Sequence, residues 1–187
     1  MGGRLRGTLG GAVAWCATAG GAAWLLWEGL RLSGENVASY TCSSASAYAA
    51  DATFASAGLL VAGACFGLSA RLSGRPRWVA ILAAAASAVM GLANGLEHRA
   101  YEPLWLLYVL GALGLTLSTA ALGLVLLVTG ALGRWRGLLL VTAAVGLMML
   151  GFDRGAAAVF GGSWLVFGAT LVVDRQALEP NDGSPRS

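Results

Sequence analysis

Six long apolar runs, each closed off by charges or turn residues, constrain this chain more than any other feature of its sequence. A helix rises only about 1.5 Å per residue, so about 20 apolar residues are needed to cross the roughly 30 Å of bilayer hydrocarbon. The runs cover about 9–27, 52–70, 78–96, 104–128, 137–152 and 156–173. They are continuously apolar, whereas the strands of a membrane barrel alternate between apolar and polar faces over about ten residues. The expectation is an all-α fold, a polytopic transmembrane bundle of six helices over residues 1–175. A disordered cytoplasmic tail over 176–187 follows, where Pro180, Asn181, Asp182, Gly183 and Pro185 cluster. The fifth run is short for a span and is extended by Trp135 and Arg136, whose long side chains reach back towards the interface.

Charge supports the same class. Only 11% of the residues are charged against 57% hydrophobic, whereas soluble domains carry roughly 25% charge. So few charges cannot cover a soluble globule, which excludes a soluble enzyme, a nucleic-acid-binding domain and a disordered chain. All 12 basic residues are arginine, and they fall in short clusters between the apolar runs. An arginine-only basic set in a chain rich in Ala and Gly points to a bacterial source and hence to the inner (cell) membrane.

Arginines are concentrated in the cytoplasmic segments of membrane proteins. With six spans, Arg4, Arg6, Arg71, Arg75, Arg77, Arg134, Arg136, Arg175 and Arg186 share one side and Arg31, Arg99 and Arg154 the other. Nine against three predicts that both termini are cytoplasmic. Trp27, Trp78, Trp105 and Trp135 fall at span ends, where amphipathic rings settle at headgroup level. The first run continues well past Ala17-Thr18-Ala19, so it reads as an uncleaved first helix rather than a signal peptide.

Glycine numbers 28, and in lipid the close approach of helix backbones at small residues drives association. Gly63 with Gly67, Gly91 with Gly95 and Gly151 with Gly155 are spaced to lie on one helix face. They predict a tightly packed bundle, and equally a homo-oligomer or a complex with a partner membrane subunit. The outer ends of the odd spans read Trp27-Glu28-Gly29-Leu30-Arg31, Gly95-Leu96-Glu97-His98-Arg99 and Gly151-Phe152-Asp153-Arg154. Their likeness suggests three helical hairpins of common ancestry.

The densest polar cluster runs from Glu97 to Glu102 and holds the single histidine. If the third helix continues through it, Glu97 and Tyr101 share one face and His98 and Glu102 the next. An imidazole beside carboxylates can act as general base or proton relay, because its pKa lies near 6.5. Glu97, His98, Tyr101 and Glu102 are therefore the candidate catalytic residues, set against the plainer reading of a solvated turn stopped by Pro103. Asn94 lies one turn before Glu97, and polar groups inside a span usually face the bundle. Glu28, Asp51, Asn94 and Asp153, with Arg99 and Arg154, are the candidate binding residues of an outward-facing vestibule. A lipid headgroup, a proton or a small polar solute is the ligand it would take. A histidine and one carboxylate do not complete a metal site, so no metal is assigned and no cofactor is indicated.

The middles of the third to sixth spans carry Ser and Thr but no Asp, Glu, Arg or His, which disfavours a coupled transporter. Cys16, Cys42 and Cys65 lack the spacing of a redox motif, and a chain without lysine has no phosphate-binding loop. The leading expectation is a non-enzymatic accessory or structural membrane subunit. A membrane-embedded enzyme acting on a lipid or isoprenoid at the outer interface stands beside it, as does a passive small-solute channel lined by the Ser and Thr of the spans.

Overall fold

In the computed structural model the described residues are 2–32, 45–97, 104–150 and 155–178, and they contain six helices and no strand. The helices are α1 (Gly2–Leu32), α2 (Ala45–Ser69), α3 (Arg75–Glu97), α4 (Leu104–Thr129), α5 (Arg134–Leu150) and α6 (Ala156–Leu178). The apolar runs of the sequence reappear as these elements. Helix α2 begins at Ala45, well before the apolar run that forms most of it, and α6 carries the chain three residues into the expected tail.

Helix is the natural state of such segments, since it satisfies every interior backbone group within the segment itself. Where the helices stop, the sequence supplies a reason. Gly130 follows α4 with φ at 67°, and its N–H donates to the Leu126 carbonyl at 2.9 Å. Only glycine adopts that left-handed backbone at little cost, so it ends the helix and captures one of its open carbonyls. Gly74, with φ at 65°, immediately precedes α3.

Four helices, α2, α3, α4 and α6, are long and apolar enough to cross a membrane. Helix α5 has 17 residues, about 25 Å, and α1 has 31, with its apolar stretch running from Leu9 to Trp27. Both are packed among the other four. Each helix lies against its sequence neighbours, and α6 returns to α1, closing the six into a ring. Neighbours run antiparallel: Val13 meets Gly67 and Gly20 meets Val61 across α1 and α2, while Gly21 meets Gly161 and Thr18 meets Gly168 across α1 and α6.

The ring closes because small residues let backbones touch. A Cβ built on Gly21 would lie 2.5 Å from the Gly161 carbonyl oxygen and closer still to the Leu165 nitrogen. Gly58 and Gly91 meet in the same way between α2 and α3, and Gly123 and Gly137 between α4 and α5. Of the glycines expected to form pairs along one helix, Gly91 is at such a contact, while Gly67 faces the Val13 side chain of α1 and Gly63 that of Cys16. Gly155 instead precedes α6 with φ at 79° and nothing near it, and Gly151 lies outside the described residues. At these three seams the unit is one glycine from each of two helices, and at others a glycine receives a larger residue, as Gly111 does Met90.

Aromatic side chains fill the centre. Trp24, Phe54, Phe160, Trp164 and Phe167 are completely buried. Trp24 packs edge-on against Phe54 at 4.8 Å and against Phe160 at 5.2 Å between centroids, an arrangement that favours ring quadrupoles. The outward faces carry exposed Leu82, Leu117, Val128 and Met149. A soluble protein would bury such side chains; against lipid they lie among their own kind.

Candidate functional site

The helix directions collect the expected polar residues at one end of the ring. Glu28 lies in the last two turns of α1 and Asp51 in the second turn of α2, while Asn94 lies in the last turn of α3. Contacts beneath them fix their level. Trp27 packs edge-on against Phe54 at 5.0 Å between centroids, which brings Glu28 towards the first turns of α2. Gly91 faces Ala55 and Gly58, which sets Asn94 within about a turn of Asp51. Three of the candidate binding residues, on three different helices, therefore share one depth.

Their burial differs from that of a solvated rim. Glu28 is only 3% exposed and Asp51 8%. The Glu28 carboxylate accepts from Arg31 twice, with Nε donating to Oε2 at 3.2 Å and Nη2 to Oε1 at 3.0 Å. This two-pronged pair is the strongest form of a guanidinium–carboxylate contact. Arg31 also lies 5.8 Å from the Trp27 ring centroid. Asn94 Nδ2 is buried and has no hydrogen-bond partner among the described residues. Beneath these groups, Trp24, Trp27, Phe54 and Tyr108 form an aromatic floor, with Phe54 and Tyr108 6.0 Å apart. A carboxylate paired with its guanidinium, a second buried carboxylate and an amide donor thus lie at one end of the ring, above aromatic rings.

Of the candidate catalytic residues, Glu97 ends α3, and the position of its side chain is not described. His98, Tyr101 and Glu102 lie outside the described residues, as do Arg99, Asp153 and Arg154. Among the described residues no group of His, Cys, Asp and Glu large enough to hold a metal ion is assembled.

At the opposite end the structure reveals a network that sequence reasoning missed. Arg136, expected to reach back towards the headgroups, is 5% exposed. Its Nη2 donates to the Thr170 carbonyl at 2.9 Å and to the Asp174 carboxylate, its Nε to Thr170 Oγ1 at 3.1 Å, and its Nη1 to the Leu132 carbonyl at 2.8 Å. Thr170 Oγ1 in turn donates to the Phe167 carbonyl at 2.8 Å. The guanidinium thus ties α5 to α6 across 34 to 38 positions of sequence. A signal was present, since Thr170 and Asp174 are four apart and so lie on one face of α6.

Most other hydroxyls in the helices stay on their own backbone. Thr18 donates to Ala14 O, Thr116 to Ala112 O and Thr129 to Val125 O, at 2.7–2.8 Å. Ser87 is an exception, donating across to the Gly58 carbonyl of α2 at 2.8 Å.

Comparison with protein-family models, with curated proteins and with solved structures finds no match to any of them.

Proposed function

We propose that this protein is a non-enzymatic accessory or structural subunit of a bacterial inner membrane, with both termini cytoplasmic. The observation that carries the reading is the sealed ring: backbone-to-backbone contact joins α1 to α6, and aromatic side chains fill the centre. A passage for solute needs a wetted path, and here Thr18 and Thr116 are turned onto carbonyls of their own helices. A rigid bundle with an apolar exterior suits a part that is held in a larger assembly, as a homo-oligomer or against a partner membrane subunit. The orientation is supported by the helix directions, which put Arg71, Arg75, Arg77, Arg134 and Arg136 at the end opposite Arg31.

The test is isolation of the full chain in mild detergent, followed by cross-linking and mass spectrometry. A fixed partner or a second copy at stoichiometric level is expected. Permeation of a small solute through proteoliposomes of the pure protein, or turnover of an added lipid, would overturn the reading.

A second reading rests on the buried Glu28 and Asp51 at one depth with Asn94. It is an enzyme acting on a lipid or isoprenoid at the outer interface, with Glu97, His98, Tyr101 and Glu102 as acid–base groups. Its test is Glu97→Gln. If every membrane-dependent phenotype survives that substitution, the cluster serves only as interfacial anchoring.

A further inference from the structure

An elongated groove of about 510 Å³ runs along the outside of the bundle between α3 and α4. Its walls are Leu82, Ala85 and Val89 on α3 and Leu110 and Leu117 on α4, and Gly114 lies at its base. The groove exists because Gly114 and Ala86 bring the two helices together, with a Cβ on the glycine 3.1 Å from that of the alanine, while larger side chains stand up on either side. Ser118 is its single hydroxyl-bearing residue, and that hydroxyl donates to the Leu115 carbonyl at 3.3 Å, so the surface offered is hydrocarbon.

Length and charge identify what fits. Between Val79 and Val89 the groove covers about 15 Å at 1.5 Å per residue, half of the roughly 30 Å hydrocarbon layer. A partner helix crossing the membrane would need the whole depth, whereas an acyl chain of one leaflet needs half. The groove begins at the arginine-bearing end. Arg75 lies one turn before Val79 on the same face, and Trp78 one turn before Leu82. Arg75 and Arg77 are exposed, no described carboxylate pairs with either, and the first turn of α3 contains no acid. Trp78 is 66% exposed beside them. Aromatic rings settle at headgroup level, and arginines there attract anionic lipid.

We propose that the α3–α4 groove seats one acyl chain of an anionic phospholipid whose headgroup is held by Arg75. The complex outlasts ordinary solvation by lipid because chain and headgroup are engaged together. The inference depends on the membrane setting of α3 and α4 and not on the accessory role.

The experiment is native mass spectrometry of the full-length protein released from nanodiscs of equal phosphatidylglycerol and phosphatidylcholine. Phosphatidylglycerol is expected to be retained about fivefold over phosphatidylcholine, the ratio corresponding to about 1 kcal/mol for one arginine at an anionic surface. Arg75→Gln should remove that preference without changing the melting temperature of the lipid-free protein. Ala85→Phe, or Ala85→Leu if the larger ring prevents folding, should fill the groove and lower retention of both lipids. Inorganic phosphate should not compete. Equal retention of the two lipids by the wild type, an undiminished preference in Arg75→Gln, competition by inorganic phosphate, or full lipid retention in the Ala85 variants would each overturn the proposal. So would a copy of the chain occupying the groove, seen as a dimer that Ala85→Phe dissolves.

Discussion

The guanidinium of Arg136 donates to the backbone carbonyl of Thr170 at 2.9 Å, from one helix to the next, at the arginine-bearing end of the bundle. Because the same guanidinium also reaches Thr170 Oγ1, the Leu132 carbonyl and Asp174, no other side chain can replace it. Hydrogen bonds to charged groups contribute about 1.5–3 kcal/mol each, and half-exposed Asp174 adds little to that through water. Arg136→Gln is therefore expected to lower stability by about 2 kcal/mol, with Arg136→Lys intermediate because an ammonium lacks the planar fork. Thermal or denaturant unfolding in detergent measures it, and a wild-type midpoint in Arg136→Gln would show the clamp to be dispensable.

Glycine positions should separate sharply by what surrounds them. Gly21→Ala forces a methyl group against the Gly161 carbonyl and should cost about 1–3 kcal/mol through overpacking. Gly162→Ala meets nothing within 4 Å and should be neutral or stabilising by up to about 1 kcal/mol, since alanine is the better helix former. The pair of midpoints, measured side by side, checks that α1 and α6 close the ring.

Ser87→Ala removes the hydroxyl that bridges α3 to the Gly58 carbonyl of α2. Hydrogen bonds between helices in a membrane average about 0.6 kcal/mol, so the expected loss is small. Trp24→Ala removes the ring packed on Phe54 and Phe160 and should cost about 3–5 kcal/mol. Equal losses in the two variants would contradict an aromatic centre.

Asn94→Leu tests the polar end without confusing it with stability. The buried Nδ2 has no described partner, so an apolar residue of similar size should leave the melting temperature unchanged or raised. Any phenotype lost in a variant that melts normally then reports on a ligand or a partner.

Cys42 offers a check of orientation. With the termini in the cytoplasm, a membrane-impermeant maleimide added to intact cells should label Cys42, while Cys65, wholly buried in α2, stays unlabelled. Labelling of Cys42 only after permeabilisation would invert the topology.

The apolar runs and their punctuating glycines made the six helices legible, because each membrane helix satisfies its own backbone and needs no distant residue to do so. The common depth of Glu28, Asp51 and Asn94 was also readable, since alternating spans put those span ends on one side. Which small residues touch was not. Gly21 lies against Gly161 and Gly58 against Gly91 by virtue of helix rotation, and the spacing along one chain segment does not encode rotation. Likewise the arginine count assigned Arg136 to a membrane surface, whereas its burial follows from α6 presenting Thr170, Asp174 and a backbone carbonyl to it. The sequence by itself determined how many helices form and at which end the charges of the described residues lie, because both follow from local hydropathy. Tertiary structure alone decided that α6 closes on α1, that aromatic rings fill the interior and that one arginine turns inward, because these depend on which faces meet.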